Sequence, residues 1–137
     1  MADADPDEPL DLTPGGTVEP DVHLDPPTRR ALWWLVPPVL LVHLLALYLP
    51  GNPSIPQPIY VDKLVHAALF GVPTWLLGRL TRRPWLIAAI FAAHAAVSEM
   101  VQLLWVPGRD GDVFDGAADL VGITIALVWL LVTRDDR

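Results

Sequence analysis

Four stretches of this chain, residues 31–49, 61–80, 85–106 and 113–132, are dominated by apolar side chains. A bilayer's hydrocarbon core takes about 20 apolar residues of helix to cross, so each stretch is long enough or nearly so. In hydrocarbon every backbone polar group needs an internal partner, which restricts such segments to helices or closed barrels. The runs are continuous rather than alternating, so the expected fold is all-α: a bundle of four transmembrane helices. Pro37 and Pro38 in the first stretch remove two backbone donors and predict a kink there. The second stretch is the shortest and has Asp62 and Lys63 at its edge.

Charge divides the chain in two. Of its 137 residues, 1–28 hold eight acidic residues and no Lys or Arg, while the remainder carries nine basic and eight acidic residues. The net charge of −7 therefore belongs to the leader, and the rest has no basic surface to attract nucleic acid. Residues 1–28, rich in proline and poor in apolar groups, cannot offset the entropy of ordering and are expected to be a disordered cytoplasmic tail. They lack the basic start and apolar core of a signal peptide. Residues 29–137 form the transmembrane domain. The chain has no cysteine, so thiolate chemistry and disulfides are excluded.

Basic residues also set the orientation. Arg29, Arg30, Arg79, Arg82, Arg83, Arg134 and Arg137 fall on one side of the spans, and only Lys63 and Arg109 on the other. The positive-inside rule then places both termini in the cytoplasm, and eight Arg against one Lys point to a GC-rich bacterial genome, so the expected location is a bacterial inner membrane. Trp33, Trp34 and Trp85 near one interface and Tyr48, Tyr60 and Trp105 near the other agree.

Three polar clusters interrupt the apolar runs, all toward the outer end: Asp62-Lys63-x-x-His66, Glu99-x-x-Gln102 with Arg109 beyond it, and Asp115-x-x-x-Asp119. Ionisable groups inside a membrane are costly and usually mark function. At a rise of about 1.5 Å per residue, His66, Glu99 and Asp119 all lie roughly 5–6 Å above the midplane, with Asp62, Gln102 and Asp115 in a layer above. Within each helix the spacing is three or four residues, so the members share a stripe. Lys63 and Arg109 are expected to lean over the mouth, and Gly116 and Gly122 to let helices approach closely.

The expected result is an outward-facing pocket with Asp62, Lys63, His66, Glu99, Gln102, Arg109, Asp115 and Asp119 as ligand-binding residues. His66, Glu99 and Asp119 are its candidates for chemistry. Two readings stay open. In one, Lys63 and Arg109 hold the phosphate or carboxylate of an anionic lipid or lipid-linked precursor. In the other, His66, Glu99 and Asp119 supply a general base or ligands for a divalent metal. Their spacing matches no helical metal motif such as His-Glu-x-x-His, and nothing identifies a cofactor. His94, Ser98 and Gln102 form a stripe that would suit a proton path, though a bond from His94 to a neighbouring helix is the plainer expectation, and His43 reads the same way. Asp110-Gly111-Asp112 lacks the downstream pattern of a calcium loop and reads as a turn.

At these residues the chain resembles the VanZ-like family of small bacterial membrane proteins. The resemblance runs from about Tyr60 to Leu131. It rests on Asp62-Lys63-x-x-His66 with Phe70, Glu99-x-x-Gln102, Pro107-Gly108-Arg109, Asp115 and Gly122. The family usually has Asn where Asp119 stands. The resemblance implies a cell-envelope protein, the founding member being associated with low-level resistance to teicoplanin, and it attaches no particular reaction.

Overall fold

The computed structural model describes residues 26–50, 58–108 and 112–135. These form four helices: α1 over Pro26–Tyr48, α2 over Ile59–Thr81, α3 over Pro84–Trp105 and α4 over Val113–Asp135. There is no strand among the described residues. Three stretches, Pro27–Tyr48, Pro84–Trp105 and Val113–Thr133, are long and apolar enough to cross a membrane. The four-span expectation is met for those three. The remaining helix, α2, is equally long but carries Asp62, Lys63, His66 and Arg79.

Each helix boundary has a local cause. Pro26 and Pro27 open α1, where a missing N–H costs nothing, so the helix begins inside the segment expected to be disordered. The rest of that tail, residues 1–25, lies outside the described residues. Pro37 and Pro38 are carried within one continuous helix. Arg82 adopts a left-handed conformation with φ of 60° at the end of α2, and Pro84 then starts α3. Beyond α3 the chain turns at Gly108, whose φ of 72° suits a residue without a Cβ.

The surface is inverted relative to a water-soluble protein. Trp34 is 81% exposed and Val113 86%, and Leu64, Trp85, Leu103 and Trp129 are also turned outward. Buried positions meanwhile include His43, His66, Thr74, Ser98, Gln102, Asp115 and Asp119. Apolar side chains all around and polar ones inside are the pattern of a multi-pass membrane protein.

Helix α2 is the hub, packing on all three others and most extensively on α4. Gly122 explains how close α2 and α4 come. A Cβ on Gly122 would lie 2.0 Å from the Ala67 carbonyl oxygen, and one on Gly71 would lie 3.0 Å from the Gly122 carbonyl oxygen. Gly116 was expected to matter equally, yet its Cβ would meet only Glu99 Cγ at an ordinary 3.6 Å. Below the polar end, Leu47, Phe70, Ala88, Phe91, Ala95 and Ile123 form the apolar core.

Three polar side chains, His43, Gln102 and Arg29, serve backbone carbonyls that helix geometry leaves open. Pro73 has no N–H to give Leu69, four residues earlier, and His43 Nδ1 donates to the Leu69 carbonyl at 2.8 Å instead. In the last turns of α1 and α2, carbonyls lack helical partners. Gln102 Nε2 donates to Leu47 O at 2.9 Å and Arg29 Nη2 to Leu80 O at 3.0 Å.

Candidate functional site

Helices α2, α3 and α4 bring most of the predicted site residues together at the N-terminal end of α2. His66 Nδ1 lies 3.0 Å from Asp119 Oδ1, and both side chains are buried. The other imidazole nitrogen, Nε2, faces Asp115 Oδ2 at 3.8 Å, beyond hydrogen-bond range. Ligand atoms of His66, Glu99 and Asp119 all fall within 4.8 Å of one another, as do those of Asp62, His66 and Asp115. The group expected deeper, His66, Glu99 and Asp119, is gathered, whereas of the group expected above it Asp62 and Asp115 meet at His66 without Gln102.

Lys63 forms the mouth in an unexpected way. Its ammonium contacts three carboxylates: Asp112 at 3.0 Å, Asp62 at 3.3 Å and Asp115 in a close ion pair. A lysine expected to await an anion is instead held by carboxylates. Arg109, expected beside it, lies outside the described residues.

Asp112 belongs to this site although the sequence suggested only a turn. Its Oδ1 accepts the Phe114 N–H at 2.9 Å, capping α4, while its own N–H donates to Glu99 Oε2 at 2.9 Å. The signal was available, since an Asp directly before an apolar helical run is a strong N-cap candidate. Bonding to the Phe114 N–H, then to Lys63, holds the Asp112 carboxyl below its ordinary range. A depressed pKa stabilises the fold above the ordinary carboxylate range, and that contribution is lost as pH falls through the lowered value. Thermal unfolding across acidic pH should therefore show a decline that is shallower in Asp112→Asn, which keeps the cap but not the titrating group.

Gln102 does not join the pocket, because its amide is committed to the Leu47 carbonyl of α1. Nor does the His94, Ser98 and Gln102 stripe form a path. Ser98 Oγ donates to Ala95 O at 2.9 Å within its own helix. His94 turns to α1, with Nδ1 3.2 Å from His43 Nε2 and Nε2 3.1 Å from the Tyr48 hydroxyl. The proton order follows from the end of this chain. A carbonyl only accepts, so His43 donates from Nδ1 to Leu69 and, as a neutral ring, accepts at Nε2. His94 then donates from Nδ1 and accepts the Tyr48 O–H at Nε2. Replacing His94 by Phe keeps an aromatic ring, slightly larger, but strands His43 Nε2 and the Tyr48 hydroxyl. The expected loss is about 2 kcal/mol, read from unfolding in one detergent.

Two carboxylate oxygens in the site, Glu99 Oε1 and Asp119 Oδ2, are buried with no hydrogen-bond partner. Asp119 has no exposed surface. Among the described residues the arrangement is a predominantly acidic, partly desolvated cluster with one ammonium and one imidazole. Comparisons with protein-family models, curated proteins and solved structures gave no match.

Proposed function

We propose that the chain is a four-span protein of the bacterial cytoplasmic membrane, with both termini inside. Its outward-facing site binds the phosphate-bearing headgroup of a lipid or lipid-linked cell-wall precursor. The observation that carries this reading is the gathering of Lys63, His66, Glu99, Asp112, Asp115 and Asp119 at one end of the bundle. Arg29, Arg82 and Arg83 mark the opposite end, where Arg29 reaches the last turn of α2. As the fourth span, α2 has 23 residues, and at about 1.5 Å each it is long enough for a core about 30 Å thick. Its charged turns would then stand at headgroup level, where such residues are tolerated. The VanZ-like resemblance of the region from Tyr60 to Leu131 supports an envelope role.

A second reading, acid–base or metal-assisted chemistry on the same headgroup, is favoured by one observation. The His66–Asp119 pair has an unpartnered Glu99 oxygen close by, which is a donor set suited to proton transfer or metal binding.

Native mass spectrometry of the protein extracted with its lipids tests the binding reading. One phosphate-bearing lipid is expected per chain, and it is lost in Arg109→Ala. A chain that carries no phosphate lipid overturns it. Loss of headgroup turnover in Glu99→Gln, with the lipid still bound, would instead favour the enzyme. Reporter fusions at Gly51 and Gly111 should report the outside, and fusions at Arg82 and Arg137 the cytoplasm.

A further inference from the structure

The charge balance of the site points past the headgroup itself. Among the described residues, Asp62, Glu99, Asp112, Asp115 and Asp119 share one ammonium, and Lys63 reaches Asp62, Asp112 and Asp115 but not the other two. The deeper pair is left to His66 and to one backbone N–H. Asp119 Oδ1 has the imidazole and Glu99 Oε2 has the Asp112 N–H, but Asp119 Oδ2 and Glu99 Oε1 have no partner. Asp119 is fully buried, away from bulk solvent. A desolvated carboxylate oxygen in this position calls for a positive group.

We infer that His66, Glu99 and Asp119 form a binding site for one divalent cation. Each ligand comes from a different helix, α2, α3 and α4 in turn. Their ligand atoms, all within 4.8 Å of one another, need only a small closure to share an ion at the roughly 2.0–2.2 Å of zinc–nitrogen and zinc–carboxylate bonds. Two carboxylates neutralise the ion, as a site inside a membrane requires. One imidazole with carboxylates suits Zn²⁺ or Mn²⁺ better than Ca²⁺, which takes an all-oxygen shell.

Nδ1, 3.0 Å from Asp119 Oδ1, is the imidazole nitrogen on the ligand side, and Asp115 Oδ2, 3.8 Å from Nε2, orients the ring only once it closes to hydrogen-bond distance. Three protein ligands leave a coordination position open for an oxygen from outside. Resting on the headgroup reading above, that position is where a phosphate oxygen binds. The ion supplies the positive charge that Lys63, engaged by its carboxylates, does not.

The test uses the full chain in detergent, stripped with a chelator, free of added lipid and titrated with Zn²⁺ by calorimetry and elemental analysis. One high-affinity ion per chain is expected. Glu99→Gln and Asp119→Asn, close in shape to the originals, should each weaken it by about 100-fold or more, since even partners one step removed from a metal matter about 10- to 100-fold. Failure to take up Zn²⁺ means that protons satisfy the buried oxygens and overturns the site. Uptake equal in both variants puts the metal elsewhere, for example on the acidic leader, and overturns it too. Should a variant fail to fold, Co²⁺ loaded into the unaltered chain must shift the His66 ring protons in NMR spectra, and unshifted signals overturn the proposal. Lipid retention separates the two readings. Zn²⁺ uptake with no phosphate lipid held leaves the cation site standing and removes headgroup binding, while lipid held without Zn²⁺ uptake does the reverse.

Discussion

Replacing Gly122 with Ala is expected to cost about 3 kcal/mol or more and to spoil the polar site at the same time. The added methyl would sit 2.0 Å from the Ala67 carbonyl oxygen and 2.9 Å from Ala67 Cα. These are backbone atoms, so no rotamer change relieves the clash, and α2 and α4 must separate. Ala67 follows His66 directly, and Gly122 lies one helical turn beyond Asp119. The separation therefore draws the imidazole away from its carboxylate. Gly116→Ala is the matched control on the same helix: its methyl meets Glu99 Cγ at an ordinary 3.6 Å, and its stability should be no lower, with a gain of up to about 1 kcal/mol from replacing a helical Gly by Ala. Unfolding titrations of the three proteins in one detergent check this ordering.

Lys63→Ala should be the most damaging change at the mouth. It removes the one ammonium between Asp62, Asp112 and Asp115 and leaves three carboxylates facing one another. The expected loss is about 2 kcal/mol, less than for a fully buried pair because Lys63 keeps partial contact with solvent. Adding Asp115→Asn to Lys63→Ala should restore part of that loss, since Asp115 is the most buried of the three. A double variant no more stable than Lys63→Ala alone would mean that the lysine acts through packing of its stem.

Much of this was legible in residue order alone. Helical rise was enough to put His66, Glu99 and Asp119 at one depth, and the cost of charge in hydrocarbon was enough to turn them inward. The break before α3 and the turn after it were readable because Pro84 and Gly108 leave the chain little choice, whereas α1 begins at Pro26, ahead of the predicted span at residue 31. What failed had a common cause: periodicity assigns a face, but not the partner on it. Gln102 shares the Glu99 stripe, yet an open carbonyl at the end of α1 takes its amide, and that carbonyl becomes relevant only once α1 is docked. Lys63 looked like a free cation because Asp112 and Asp115 are about fifty residues away in sequence. Gly71 went unnoticed because its role depends on the crossing with Gly122. Pro73, like the Asp112 cap, was an overlooked local signal, since a proline within a helix frees a carbonyl, and His43 answers it.

The central claim is that three helices carry His66, Glu99 and Asp119 into one buried cluster. The chain has no native cysteine, so paired substitutions report on it directly. His66→Cys with Asp119→Cys, and His66→Cys with Glu99→Cys, should each be bridged within one chain by a short bis-alkylating reagent that fluoresces only when both ends have reacted. His66→Cys paired with Trp129→Cys, on the apolar outer face of α4, should not. Bridging of both test pairs and not of the control is the predicted result. Test pairs that react no better than the control would show that the three helices do not share this site.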